Sequence, residues 1–142
     1  MAEESNRMCI VLAGATVDKL YPAAIMASGG VMNDVEVDIF LTFWGLMAFR
    51  KGAPRQIQNV SADYGDQAPA MMQAMQEKKV PSWYDTLLQA REVGTVRIHA
   101  CGMTADLFDL KLEDFEPVVD DIIGVGEFVD MSTQADTTLY LG

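Results

Sequence analysis

The sequence predicts an α/β fold with three layers, α/β/α, built around a mainly parallel sheet of about five strands. Apolar runs of strand length alternate along the chain with segments whose apolar residues recur every three to four positions, as in helices that face a core. Such alternation favours right-handed crossovers and a sheet covered by helices on both faces. The predicted strands cover 8–12, 35–43, 95–100, 118–125 and 137–141, and the predicted helices cover 20–31, 46–49, 67–78, 82–93, 104–109 and 126–135.

The first half of the chain predicts a strand, a tight turn, a helix and a second strand. The turn at 13–16 contains Gly14, and Pro22 is expected in the first helical turn, where its missing N–H costs little. Gly29 and Gly30 are expected to weaken and stop this helix. Residues 35–43 alternate and then become wholly apolar, which is typical of a strand in the middle of a sheet.

The second half begins with an irregular excursion and returns to the alternating pattern. Residues 53–66 have a mixed composition that predicts a loop, and the 52–81 segment is an excursion within one domain that spans 1–142. Methionines at helical spacing predict the 67–78 helix, and Pro81 ends it. Ser82 is a favourable N-cap for the next helix, which stops at Gly94.

Composition bounds the possible functions. Half of the 142 residues are hydrophobic, so the chain can bury a core without disulfide or metal staples. The 21 acidic residues exceed the 10 Lys and Arg and give a net charge of −11, which argues against nucleic acid or an anionic membrane as partner. Ten of these acids and a single lysine lie within 101–142, where we expect them to form a solvated surface.

The start of the sequence is polar and lacks the pattern of a signal peptide, so we expect a cytoplasmic protein. The longest apolar stretch, 39–49, is shorter than the roughly 20 residues of a membrane-spanning helix. We therefore expect no membrane span.

Cys101 is the candidate nucleophile. In a parallel sheet the loops after the strands meet at one edge, which here collects 14–16, 43–45 and 100–104. Thr104 is expected to cap the following helix, with Met103 and Phe108 as its hydrophobic staple, so that the helix start lowers the pKa of the thiol. A buried, inert cysteine remains the alternative.

The other residues with potential chemistry give weaker signals. Cys9 lies within a predicted strand and is expected to be inert, while His99 shares a face with Cys101 at a separation too long for a direct hydrogen bond. The two cysteines and one histidine lack the spacing of a zinc site, so no metal is expected. Four cations form a possible rim for an anionic ligand or an acidic partner: Lys19, Arg50, Lys51 and Arg55.

Nucleotide motifs are incomplete, since neither 13–16 nor 124–126 completes GxGxxG and no GxxxxGK[ST] occurs. A mononucleotide is still possible, because helix N-termini bind phosphate without a named motif.

Three segments resemble the DsrE/DsrF-like family, in its DsrE-related branch that is often labelled peroxiredoxin-like. They are ATVDKLYP at 15–22, FLTFWGL at 40–46 and ACGMTADLF at 100–108. The resemblance implies a small α/β domain that forms homo-oligomers and serves in sulfur trafficking. It also implies that Cys101 accepts sulfane sulfur, as a persulfide or thiosulfonate, and passes it to a carrier such as a TusA-like protein. No peroxiredoxin active-site pattern is present.

The leading hypothesis is a sulfur carrier or sulfurtransferase-like protein, and the sequence leaves open which of the two it is. Cys101 is the acceptor, and no cofactor is needed. Two alternatives remain: a non-catalytic oligomeric binding module with a structural Cys101, and a nucleotide or flavin binder. The residues assigned to substrate binding are Gly14, Thr16, Trp44, Gly102, Met103 and Thr104.

Overall fold

The computed structural model describes residues 6–142; the polar residues 1–5 lie outside the described residues. Its single sheet contains five parallel strands in the order β4-β3-β2-β1-β5. The strands are β1 (Asn6–Leu12), β2 (Val35–Leu41), β3 (Val96–Cys101), β4 (Asp121–Ile123) and β5 (Thr137–Leu141). The helices are α1 (Val17–Met32), α2 (Trp44–Met47), α3 (Ala68–Glu77), α4 (Trp83–Val93), α5 (Gly102–Leu107) and α6 (Val125–Thr133). The predicted α/β class with a five-stranded parallel sheet is confirmed.

The two faces of the sheet are covered to different extents. Helices α1 and α4 pack on one face and enclose the main core, which includes Leu20, Ile39, Leu87 and Ile98. On the other face, Phe128 of α6 stacks on Phe40 of β2 with ring centroids 4.5 Å apart. This second cluster is small, and it contains both cysteines.

Helix α1 differs from its prediction at both ends. It begins at Val17, so Pro22 is its sixth residue and lies beyond the first turn, and it continues through the glycine pair to Met32. The packing of α1 on the sheet outweighs the local helix-breaking tendency. A Cβ on Gly30 would lie 2.9 Å from Val37 Cγ2, so this glycine allows α1 to pack closely on β2.

The remaining differences concern the boundaries of short elements. Strand β4 has three residues rather than the eight predicted, and a 3-10 helix, Ala62–Gln67, occupies part of the predicted loop. Helix α5 begins at Gly102, two residues before the expected Thr104 cap, so Cys101 itself is the N-cap residue. The residue before the cap is Ala100. Met103 and Phe108 therefore do not occupy the two positions of a hydrophobic staple, and that prediction is wrong.

A strained turn follows β2. Phe43 has a φ of 49° and a ψ of −120°, and the N–H of Gly45 donates to the carbonyl of Thr42 at 3.1 Å. These values match a type II′ turn, which normally has glycine where Phe43 stands. A Cβ on Gly45 would overlap the carbonyl oxygen of Leu12, so glycine is required at this position.

A partly buried charge network joins β2, β3 and β4 on the face opposite to α1, with Asp38 and His99 buried and Arg97 and Asp121 partly exposed. His99 donates from Nε2 to Asp38 at 2.8 Å and from Nδ1 to Asp121 at 2.6 Å. Because each ring nitrogen faces a carboxylate, the arrangement favours the imidazolium form, in which both nitrogens are donors. Arg97 binds the same Asp38 through two N–H groups, at 2.8 and 3.0 Å.

The network shifts the pKa values of its members. Burial alone would raise the pKa of Asp38, yet hydrogen bonds from His99 and Arg97 outweigh it and lower the pKa to about 2. Burial alone would lower the pKa of His99, and the two carboxylates reverse the effect and raise it. Both shifts favour the charged forms of Asp38 and His99, whose hydrogen bonds, together with that of His99 to Asp121, join β2, β3 and β4.

The network predicts a pH-dependent stability. Because the pKa of His99 is raised in the folded state, its contribution is complete below about pH 6.5 and is lost as the pH rises through the folded-state pKa. Asp38 contributes fully above about pH 4, and its contribution is lost as the pH falls toward 2. The free energy of unfolding should therefore decline above neutral pH, as measured by urea denaturation at a series of pH values.

Between about pH 6.5 and 8, replacing His99 with Gln should remove most of this decline, since the chain has no other histidine and the raised pKa of Cys9 lowers stability only at higher pH. The exposed Asp130→Asn is the matched control and should keep the wild-type slope. Identical slopes in wild type and His99→Gln would contradict the assignment.

Candidate functional site

The candidate site lies at the carboxyl ends of β2 and β3. Cys101 is the last residue of β3 and the N-cap residue of α5, and it is 3% exposed. Parallel pairing of β3 with β2 brings the turn after β2 beside this cysteine. The thiol therefore lies between two loops that are far apart in the sequence.

The surroundings of Cys101 favour the thiolate. Burial alone would raise the pKa of the thiol, but hydrogen bonds from the hydroxyl and N–H groups of Thr104, the hydroxyl of Thr42 and the N–H of Met103 outweigh it and lower the pKa. The N–H donors belong to the first turn of α5, which an N-cap side chain faces. A lowered thiol pKa makes a better nucleophile at neutral pH.

Thr104 connects the two loops. It is fully buried, and its Oγ1 accepts a hydrogen bond from the N–H of Phe43 at 3.2 Å and lies 3.3 Å from Oγ1 of Thr42. The strained turn at Phe43 thus directs a backbone donor at the threonine that contacts the thiol. The sequence assigned Thr104 to a cap, whereas its side chain points into the site.

An apolar groove opens above the thiol on the α6 side of the sheet. This Cys101 groove has a volume of about 470 Å³, and β-strands form its floor while α6 forms one wall. Aliphatic and aromatic side chains dominate its lining. The lining residues are Val11, Phe40, Thr42, Cys101, Met103, Val125, Phe128, Val129, Ser132, Thr138 and Tyr140.

A second cavity lies on the α1 side of the same edge. This Trp44 cavity has a volume of about 610 Å³ and contains Gly14, Thr16 and Trp44 together with Lys19 and Arg50. The six residues assigned to substrate binding are thus divided. Gly14, Thr16 and Trp44 line the Trp44 cavity, Met103 lines the Cys101 groove, and Gly102 and Thr104 lie in the helix start beside the thiol.

The predicted cationic rim is also divided. Lys19 and Arg50 share the Trp44 cavity, while Lys51 lines a neighbouring cavity of about 580 Å³, which Arg50 also lines and which contains Asp109 and Asp114. Arg55 pairs with Asp85 at 2.8 Å and lies over the ring of Tyr84. Two of the four cations therefore face one cavity together.

Cys9 is separated from Cys101 in two directions. Strand β2 lies between their strands, and Cys9 is level with Arg97, four residues before Cys101. The offset along the strands alone is about 13 Å, well beyond the roughly 7 Å limit for a disulfide. Burial, aided by the charge of Asp38, raises the pKa of Cys9 to about 11, which fits the prediction of an inert thiol.

The sequence did not reveal the roles of Thr42, Asp38 and Asp121. The sequence places Thr42 within the predicted strand 35–43. It indicates only a contribution to the net charge for the two aspartates. Asp38 carried a usable signal, since a carboxylate within an otherwise apolar central strand requires a partner. The partners of Asp38 are His99 and Arg97. The second ring nitrogen of His99 contacts the carboxylate of Asp121.

Within residues 6–142, no group of three or more His, Cys, Asp and Glu side chains is arranged to hold a metal ion. Over the same residues, no helix has the length and apolar character needed to cross a membrane.

Two curated relatives match nearly the whole chain. The sulfur carrier protein DsrE2 of Allochromatium vinosum is 27% identical over 160 aligned positions, which cover 97% of this chain and 99% of the relative. The uncharacterized protein YrkE of Bacillus subtilis is 27% identical over 163 positions, which cover 99% of this chain and all of the relative.

Solved structures share the fold. The protein MTH1491 from Methanobacterium thermoautotrophicum matches with a TM-score of 0.58 at 16% identity, over 94% of this chain and 98% of that chain. The ychN protein from E. coli matches with a TM-score of 0.56 at 16% identity, over 95% and 98%. The profile of the DsrE/DsrF/DrsH-like family matches residues 4–65 and 58–140, so the chain belongs to this family, which supports a general role in sulfur relay.

Proposed function

We propose that this protein accepts sulfane sulfur on Cys101, as a persulfide or thiosulfonate, and relays it to a partner carrier. The observation that carries the proposal is a thiol with a lowered pKa at the floor of an apolar groove. One relative is named as a sulfur carrier protein, which agrees with this role.

The loading step is a thiol exchange. The Cys101 thiolate attacks the outer sulfur of a persulfide R–S–SH, a new S–S bond forms, and the bond within the donor breaks. The donor leaves as the thiolate R–S⁻, and Cys101 becomes Cys–S–SH. Attack on a sulfane sulfur of tetrathionate instead leaves Cys–S–S–SO₃⁻ and releases thiosulfate. One S–S bond replaces another, so neither reaction needs an external oxidant.

The residues around Cys101 have separate roles in this proposal. The N–H groups of Met103 and Thr104 and the hydroxyls of Thr42 and Thr104 stabilise the attacking thiolate. Gly102 keeps the helix start close to β4, because a Cβ there would lie 3.3 Å from the carbonyl oxygen of Ile123. Met103, which is exposed, contributes soft apolar surface at the groove.

The surface beside the groove supports two kinds of partner. Exposed apolar side chains on this face, including Met103, Val125, Val129 and Tyr140, support the proposed homo-oligomer. Glu127 and Asp130 are exposed on the same helix as Val125 and Val129, and their charge suits a basic sulfur carrier such as a TusA-like protein. We place the exchange in the cytoplasm, where thiols stay reduced.

Incubation with a persulfide donor or tetrathionate should add sulfur to one cysteine only. Intact-mass spectrometry should show one reducible adduct on wild type and on Cys9→Ala, and none on Cys101→Ala. Alkylating Cys101 of the wild type beforehand should also prevent the adduct, which excludes misfolding of the variant as the cause. An adduct that persists on Cys101→Ala, or no adduct on the wild type, would overturn the proposal and favour a binding module with a structural Cys101.

Removing a hydroxyl that hydrogen-bonds the Cys101 thiol should make the thiol less reactive near neutral pH. A hydrogen bond to a charged group is worth about 1.5–3 kcal/mol, so Thr42→Val should raise the pH midpoint of alkylation by about one to two units. Thr104→Ser keeps its hydroxyl and should retain the wild-type midpoint. The rate of iodoacetamide addition is read on the peptide that contains Cys101.

Thr138→Val is the matched control for this experiment. Thr138 lines the same groove, and its hydroxyl lies 2.9 Å from that of Ser132. An equal shift in Thr138→Val and Thr42→Val would show that groove polarity, rather than a direct hydrogen bond, sets the thiol pKa.

A further inference from the structure

The Trp44 cavity has the charge of an anion-binding site. Its lining contains Lys19 and Arg50 and no Asp or Glu side chain, and Gly142, the last residue of the sequence, also lines it. Four of the five arginines form ion pairs with carboxylates, and the exception is Arg50. Among residues 6–142, neither Lys19 nor Arg50 has a carboxylate oxygen within 4.0 Å. No lysine among residues 6–142 has a carboxylate oxygen within 4.0 Å, so the distinguishing feature of this cavity is that Lys19 and the one arginine without an ion pair line it together.

The same cavity offers an apolar surface for a flat ligand. Trp44 is 59% exposed, although tryptophan is buried on average, and its nearest aromatic neighbour is Phe108 at 6.2 Å. Met47, Ala48 and Ile57 extend this surface. An indole that is free on one side can stack on an aromatic ring.

The wall of the cavity is held in place by hydrogen bonds. The N–H of Val17 donates to the carbonyl of Asn59 at 2.7 Å, and Ser61 donates to the carboxylate of Asp18 through both its N–H and its hydroxyl. These bonds fix 59–61 against the start of α1. They also engage the N–H of Val17 and the carboxylate of Asp18 in the first turn of α1. We therefore assign the anion to Lys19 and Arg50 rather than to the N-terminus of α1.

We propose that the Trp44 cavity binds an aromatic organic anion, with its charged group on Lys19 and Arg50 and its ring on Trp44. The site is separate from the Cys101 groove, since the two linings share no residue. Gly14 belongs to this site, because a Cβ there would lie 2.8 Å from Cγ of Lys19 and would displace that side chain.

Calorimetric titration with two aromatic anions tests the proposal. Adenosine monophosphate and naphthalene-1-sulfonate are the probes, and adenosine and naphthalene-1-sulfonamide are their uncharged counterparts. At least one anion should bind saturably and about tenfold more tightly than its counterpart. It should also quench the fluorescence of Trp44, whereas Trp83, the only other tryptophan, is buried and should be unaffected. The quenching should disappear in Trp44→Phe.

Single substitutions locate the charged group. Arg50→Gln and Lys19→Gln should each weaken binding about tenfold, while the adjacent Lys51→Gln, which removes the same charge outside this cavity, should leave it unchanged. Failure of both anions to bind, or equal losses in Arg50→Gln and Lys51→Gln, would overturn the proposal. Cys101→Ser should bind the probe normally, so this result is independent of the sulfur-transfer proposal.

Discussion

The hydroxyl of Thr104 holds the site together, because it joins two loops that the sheet only brings near each other. The oxygen accepts the N–H of Phe43, and the same side chain contacts the thiol of Cys101. Phe43 occupies a backbone conformation that costs of order 1–3 kcal/mol for a residue other than glycine. The turn is maintained by this hydrogen bond and by the close approach of Gly45 to β1, so the geometry at the thiol depends on contacts from three strands.

The turn after β2 also separates two chemically different spaces. On one side Thr42 faces the apolar Cys101 groove, and on the other Trp44 faces a cavity with two cations. Two residues of one turn, separated only by Phe43, therefore serve opposite faces of one sheet. Under the two proposals, the sulfur on Cys101 reacts in an apolar space and the organic anion binds in a space with two cations. The turn therefore separates a group that favours an apolar environment from a group that needs a charged one.

The sequence predicted the fold well and supplied a candidate nucleophile that stays a prediction, because both rest on patterns along the chain. Alternating apolar periods predicted the parallel sheet, and the rule for strand ends selected Cys101. The sequence could not predict the start of α5 or the direction of Thr104, because both depend on the contact with Phe43. The sequence also placed Pro22 in the first turn of α1 and ended the helix near Gly30, and both predictions were wrong. Packing of α1 on β2 outweighs the helix-breaking tendency of these residues.

The distance between the two cysteines has a kinetic consequence. Cys9 is two strands away and four residues out of register, so it cannot resolve a persulfide on Cys101 within the same chain. Under the proposed function, each chain carries a single load that is discharged only in an encounter with another molecule. Sulfur transfer would then be second order. Its rate would depend on the concentration of the acceptor rather than on a unimolecular step within the carrier.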